Sequence, residues 1–89
     1  MKSEVWKVGK NYMIRTVTMI QVGKLVKATP QELVLKDAAW VADTGRFAEF
    51  LRQGTPSEVE PFPDGEVIVG RQAIIDACEW KHALLRTTK

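Results

Sequence analysis

Runs of β-branched and apolar residues alternate along this chain with clusters of turn formers, and the first three runs read as strands. After Asn11, the run Tyr-Met-Ile-Arg-Thr-Val-Thr-Met-Ile follows a period of two. Tyr12, Ile14, Thr16, Thr18 and Ile20 fall on one face, and Met13, Arg15, Val17 and Met19 on the other, the pattern of a strand. Gln21-Val22-Gly23 predicts a short turn. Lys24 to Ala28 predicts a second strand, with Leu25 and Lys27 alternating against Val26 and Ala28. Thr29-Pro30-Gln31-Glu32 reads as a tight turn, because proline presets the φ of the second turn position. Leu33 to about Ala42 is the third strand, so the first half predicts an antiparallel meander with short loops.

The period then changes. Phe47, Phe50 and Leu51 recur at helical spacing, which predicts a helix over 43–53, capped by Asp43 or Thr44 and ended by Gly54. Thr55 to Glu66 holds Pro56, Pro61, Pro63 and the turn pair Asp64-Gly65, and reads as a loop with Phe62 packed down on the body. A short strand over 66–70, a sharp bend at Gly70-Arg71-Gln72 and a last strand over 73–80 follow. The organisation expected is a loose lead-in over 1–10, one domain over 11–80 and a polar, mobile tail over 81–89. The fold class predicted is mainly β with one inserted helix, built on a five-stranded, strongly bent sheet or small barrel.

Composition narrows this picture. With 89 residues the chain has one small core, and domains of this size often gain stability by self-association. No apolar run approaches the roughly 20 residues that span a bilayer, and Met-Lys-Ser-Glu-Val-Trp lacks the apolar centre of a signal peptide, so a cytoplasmic protein is expected. Cys78 is the single cysteine, which precludes an intrachain disulfide, and its apolar surroundings predict a small core residue. The net charge is only +2, but it is unevenly spread. Lys2, Lys7, Lys10, Arg15, Lys24 and Lys27 face only Glu4 before Gln31, while Glu32, Asp37, Asp43, Glu49, Glu58, Glu60, Asp64 and Glu66 dominate the middle. A basic first hairpin of this kind attracts anions or docks on an acidic patch.

Two resemblances bear on function. Val17 to Leu35, with Gly23-Lys24-Leu25-Val26 and Glu32-Leu33-Val34-Leu35, looks like the opening of an Sm-like domain. Val67 to Trp80, with Ile68-Val69-Gly70-Arg71-Gln72-Ala73-Ile74, is similar to the closing strands of that fold around their one-turn bend. The resemblance implies an Sm-like or SH3-like partly open barrel whose edge strands pair between subunits to close a ring. The chain departs from the pattern in lacking a leading helix before Tyr12, in inserting a helix between the third and fourth strands, and in lacking the family's RNA-contacting residues in recognisable order. The blocks Asp37 to Phe47 and Glu58 to Gly65 also resemble a group of small phage-encoded proteins of unassigned chemistry. By analogy of size, such proteins include sponges that sequester the nucleotide signals of bacterial immunity, an anti-defence role.

The residues argue against an enzyme. His82 is the only histidine and lies in the expected tail, without the fixed partner a general base needs. One His and one Cys make no zinc site, and neither Val8-Gly9-Lys10 nor Val22-Gly23-Lys24 completes a phosphate loop; no cofactor is expected. Binding is better served. Thr44, Gly45 and Arg46 sit at the start of the expected helix, where free amides attract phosphate and Arg46 can add a bidentate contact. Trp40 can stack on a base, Arg71 stands at the late bend, and Tyr12 with Arg15 forms a weaker third pair. Trp6 and Trp80 read as packing anchors. The expectation is a non-enzymatic homo-oligomer holding an anionic nucleotide, plausibly cyclic, at subunit seams. An RNA-binding ring, or a structural or host-protein-binding phage protein using the acidic loop Glu58 to Asp64, are the alternatives.

Overall fold

The computed structural model describes residues 5–89. Its elements are β1 (Asn11–Thr16), β2 (Ile20–Ala28), β3 (Glu32–Asp43), α1 (Phe47–Gln53), β4 (Glu58–Pro61), β5 (Glu66–Gly70), the 3₁₀ turn Arg71–Ala73 and β6 (Ile74–Glu79). The chain is therefore mainly β with one helix, as the pattern predicts, but the sheet has six strands and is bent without closing. The extra strand, β4, comes from the segment read as a loop: Val59 is buried and pairs with Val41, which a Pro-rich composition does not advertise.

The sheet is organised by β3. This 12-residue strand pairs with β2 along one edge. Along its other edge its first half pairs with β5 and its second half with β4. The division falls at Asp37, whose φ of +51° is unusual outside glycine but tolerated by aspartate. Across from it, the β2–β3 register jumps from Val22↔Ala39 to Lys24↔Lys36, a bulge that bends the strand. Gly23 lies inside this kink, where a Cβ would stand 3.0 Å from the Ala38 Cβ and 3.2 Å from the Leu35 Cβ. The predicted turn at Gln21–Gly23 is thus strand, and Gly23 serves close approach instead. The hairpin turn sits at 17–19, closed by Thr16 N–H to the Met19 carbonyl at 2.7 Å and by Met19 N–H to Thr16 Oγ1 at 3.1 Å.

The bend at 71–73 links β5, on one margin of the sheet, to β6, which pairs with β1 on the other. Three residues can bridge the two margins only because the sheet curls. Its inner face holds Tyr12, Ile14, Leu25, Leu33, Leu35, Ala38 and Val69. A second cluster of Met13, Val22, Ala39, Val41, Phe50, Val59 and Trp80 lies on the other face, under α1.

Both chain flanks are held to the body, the first through Trp6 as its reading as a packing anchor expects. The part of the lead-in that is described is tied down: Gly9 N–H meets the Leu25 carbonyl at 2.7 Å, and Trp6 packs edge-on against Tyr12 at 5.0 Å. Residues 1–4 of the lead-in lie outside the described residues. The segment 81–89 is not a free tail. Leu84 and Leu85 pack on the second cluster, His82 Nε2 donates to the Leu51 carbonyl at 2.7 Å, and Lys89 exchanges two backbone hydrogen bonds with Val59. Arg86 donates to the Ala38 and Phe62 carbonyls at 2.8 and 2.9 Å. A polar average over nine residues conceals two leucines and an arginine with fixed acceptors.

Candidate binding surface

Register decides which side chains share a surface. Trp40 is the direct partner of Gln21 on one side and of Glu60 on the other. Directly opposed residues point to the same face, with Cβ atoms about 5 Å apart. Trp40 keeps 37 % of its surface exposed. With Met19, Glu60, Pro61, Phe62 and Pro63 it lines a depression of about 360 Å³. Phe62 N–H bonds the Ala38 carbonyl at 2.9 Å, and Arg86 holds the Phe62 carbonyl, so this wall is fixed from behind.

Met19 and Trp40 also line a second depression of about 350 Å³, together with Arg15, Thr16, Thr18, Val41 and Ile75. They form a ridge between the two. Arg15 belongs to the other face of the sheet, being paired with Ile20, and reaches this depression around the hairpin tip. Its guanidinium forms a fork with Asp76, Nε to Oδ1 at 2.7 Å and Nη2 to Oδ2, and lies 5.1 Å from the Phe47 ring centroid. The hydrogen bond from Arg15 holds the Asp76 carboxyl below its usual range, with the Arg15 charge assisting and desolvation opposing. The fork leaves Nη1 uncommitted among the described residues, since a guanidinium has five N–H donors.

The other predicted contacts are scattered. Tyr12 is buried in the core, its hydroxyl accepts from Lys7 N–H at 2.8 Å, and it lines a separate depression with Trp6, Ile74 and Cys78, away from Trp40. The helix starts at Phe47, with Arg46 at its N-cap and no side-chain capping bond. The expected helix over 43–53 is shortened because Gly45 has φ +70°. Gly45 N–H turns back to Asp43 Oδ1 at 2.8 Å, and the Thr44 hydroxyl donates to the Gly45 carbonyl at 2.7 Å. Asp43 therefore caps a turn, and a seven-residue helix has little dipole to offer an anion. Arg46 is exposed beside this turn. Arg71 N–H bonds the Gln31 carbonyl at 2.9 Å, and its side chain lines a depression with Pro30, Glu32 and Gln72. It stands next to the first residue of β3, whereas Trp40 lies toward the other end. Of the predicted set, only Trp40 and Arg15 share a surface.

Sequence reading missed Met19, Glu60 and Phe62 as neighbours of Trp40. The signal was present in the extended Glu-Val-Glu-Pro-Phe-Pro piece, but its pairing partner was not. Cys78 is exposed on the margin strand β6, which corrects its reading as a core residue. Among the described residues no group of His, Cys, Asp and Glu could hold a metal ion, and no helix is long and apolar enough to cross a membrane. Compared with known proteins, the chain matches no family model, no curated protein and no solved structure.

Proposed function

We propose that this protein is a non-catalytic binding module that sequesters an anionic nucleotide on the surface around Trp40, and that it works as a homo-oligomer. The observation that carries the reading is the Met19–Trp40 ridge, with a stacking ring on one side and a guanidinium on the other. A base placed on Trp40 would occupy the first depression. Its phosphate would cross the ridge toward Arg15, Thr16 and Thr18, where Arg15 Nη1 supplies a charge-assisted donor. Glu60 and Asp76 flank this surface and would repel a long polyanion, which favours a small ligand over an RNA strand.

The margins of the sheet support the oligomer reading. The outer side of β4 is covered by Lys89, while β5 and β6 have no described strand on their outer sides and carry Ile68 and Ile75 at 65 % and 64 % exposure. Open, apolar strand margins favour pairing with another chain. A neighbour added to β6 would lie beside Ile75, which lines the Arg15 depression. An Sm-like barrel closing into a ring fits the same connectivity, with a one-turn bend between the last two strands. Calorimetric titration with a panel of linear and cyclic nucleotides tests the proposal: heat that disappears in Trp40→Ala supports it, and no heat from any of them overturns it.

A further inference from the structure

We infer that Glu60 makes the Trp40 site selective for guanine. The inference rests on the nucleotide reading above and adds which base the site takes. Trp40 and Glu60 face each other across the β3–β4 pair and line one depression. A base stacked on the Trp40 ring would extend its edge toward the Glu60 carboxylate. A carboxylate is an acceptor with two oxygens and no donor when ionised. Guanine presents N1–H and the 2-amino group side by side, two parallel donors that match both oxygens in a bidentate pair. Adenine presents a 6-amino donor beside the N1 lone pair, which would face a carboxylate oxygen. Cytosine has the same mismatch at N3, and uracil offers a single N–H between two carbonyls.

One further observation fits this polarity. The described ion pairs are Lys10–Glu79 and Arg15–Asp76, so no described cation occupies Glu60. The exposed Glu60 carboxylate is thus an acceptor beside the stacking ring, and a donor-rich base edge matches it.

The test is calorimetry of the full chain with GMP, IMP and AMP at one salt concentration, on wild type, Glu60→Gln and Trp40→Ala, with thermal melts to show that each variant is folded. Wild type is expected to prefer GMP over AMP by about 10–100-fold, the worth of one good bidentate pair. IMP, which lacks the 2-amino group, should fall between them, and Glu60→Gln should bring GMP down to the level of AMP. If all three nucleotides bind equally and Trp40→Ala abolishes them, the role of Glu60 is overturned while the stacking site stands. If no nucleotide binds, or if tetramethylammonium binds in their place, the site is a different one and both readings fall.

Discussion

Replacing Gly54 by alanine tests how the segment after β6 is locked to the helix. Gly54 ends α1 with φ +75° and ψ 24°, and its N–H bonds the Phe50 carbonyl at 2.8 Å. Holding an alanine in this left-handed conformation costs about 1–2 kcal/mol. The new Cβ would also stand 2.6 Å from His82 Cγ and 2.8 Å from His82 Cβ, inside any real contact distance. The imidazole must then move, giving up its hydrogen bond to the Leu51 carbonyl and its edge contact with Trp80, whose centroid lies 4.9 Å away. The hydrogen bond adds about 0.5–1.5 kcal/mol. The total of roughly 2–3 kcal/mol corresponds to a fall in Tm of about 10–20 °C for a domain of this size. Thermal unfolding followed by circular dichroism measures it in wild type, Gly54→Ala, His82→Ala and the double variant. Gly54→Ala should cost about 1 kcal/mol less when His82 is already alanine. An equal cost in both backgrounds would show that His82 does not rest on Gly54, and the account of a locked segment would fail.

Other consequences can be checked as directly. Asp76, held below its ordinary value by the Arg15 hydrogen bond, contributes stability above the usual carboxylate pKa, and that contribution is lost as pH falls through its lowered folded value. The Tm gap between wild type and Asp76→Asn should therefore be present near pH 7, shrink as pH falls below the usual carboxylate range, and narrow in high salt; a gap independent of pH refutes the pair's role. Burial, and after it Asp76, push the Cys78 thiol up, so alkylation near pH 8 should be slower than for a free cysteine despite its exposure. If a second copy covers β6, that rate should fall further as protein concentration rises, and Ile75→Lys should remove the concentration dependence and shift sedimentation to the monomer. A concentration-independent rate in wild type would count against association through this margin.

The third strand, the one-turn bend and the last strand were legible because each is marked locally: alternation along Leu33 to Leu35, Pro30 in its turn, Gly70 at the bend; the first hairpin turn was not, and fell at 17–19 instead of Gln21–Gly23. The kink at Asp37 was not, since an aspartate in a strand carries no local sign of a positive φ, and its cause is the approach of Gly23 from another strand. The same limit hid half of the candidate surface. Trp40 and Arg15 are conspicuous as residue types, but Glu60 and Phe62 become neighbours of Trp40 only through the β3–β4 register. Arg46 and Tyr12 lie apart from the Trp40 surface for opposite reasons. Gly45 displaced the helix start beside Arg46, and Trp6 folded over Tyr12.

The bend in β3 also relates the proposed binding surface to the open margins. Because β3 divides at Asp37, β4 and β5 share one of its edges, and β4 brings Glu60 and Phe62 to Trp40 while β5 goes on to the bend. The chain then returns to β1 through β6, placing Ile75 near the hairpin tip that carries Arg15 and Met19. Among the described residues, β4 has its outer side covered by the pairing of Lys89 with Val59, and β5 and β6 have no strand on theirs. In the proposed oligomer, association would thereby be steered away from the wall of the Trp40 depression and toward β5 and β6, which are different strands. Joining one copy's β5 to the next copy's β6 is heterologous, and such contacts form rings when the rotation closes. Each junction would set a neighbour's Ile68 strand beside Ile75, at the rim of the Arg15 depression. A ligand bound there would meet two chains, and its affinity would rise with assembly.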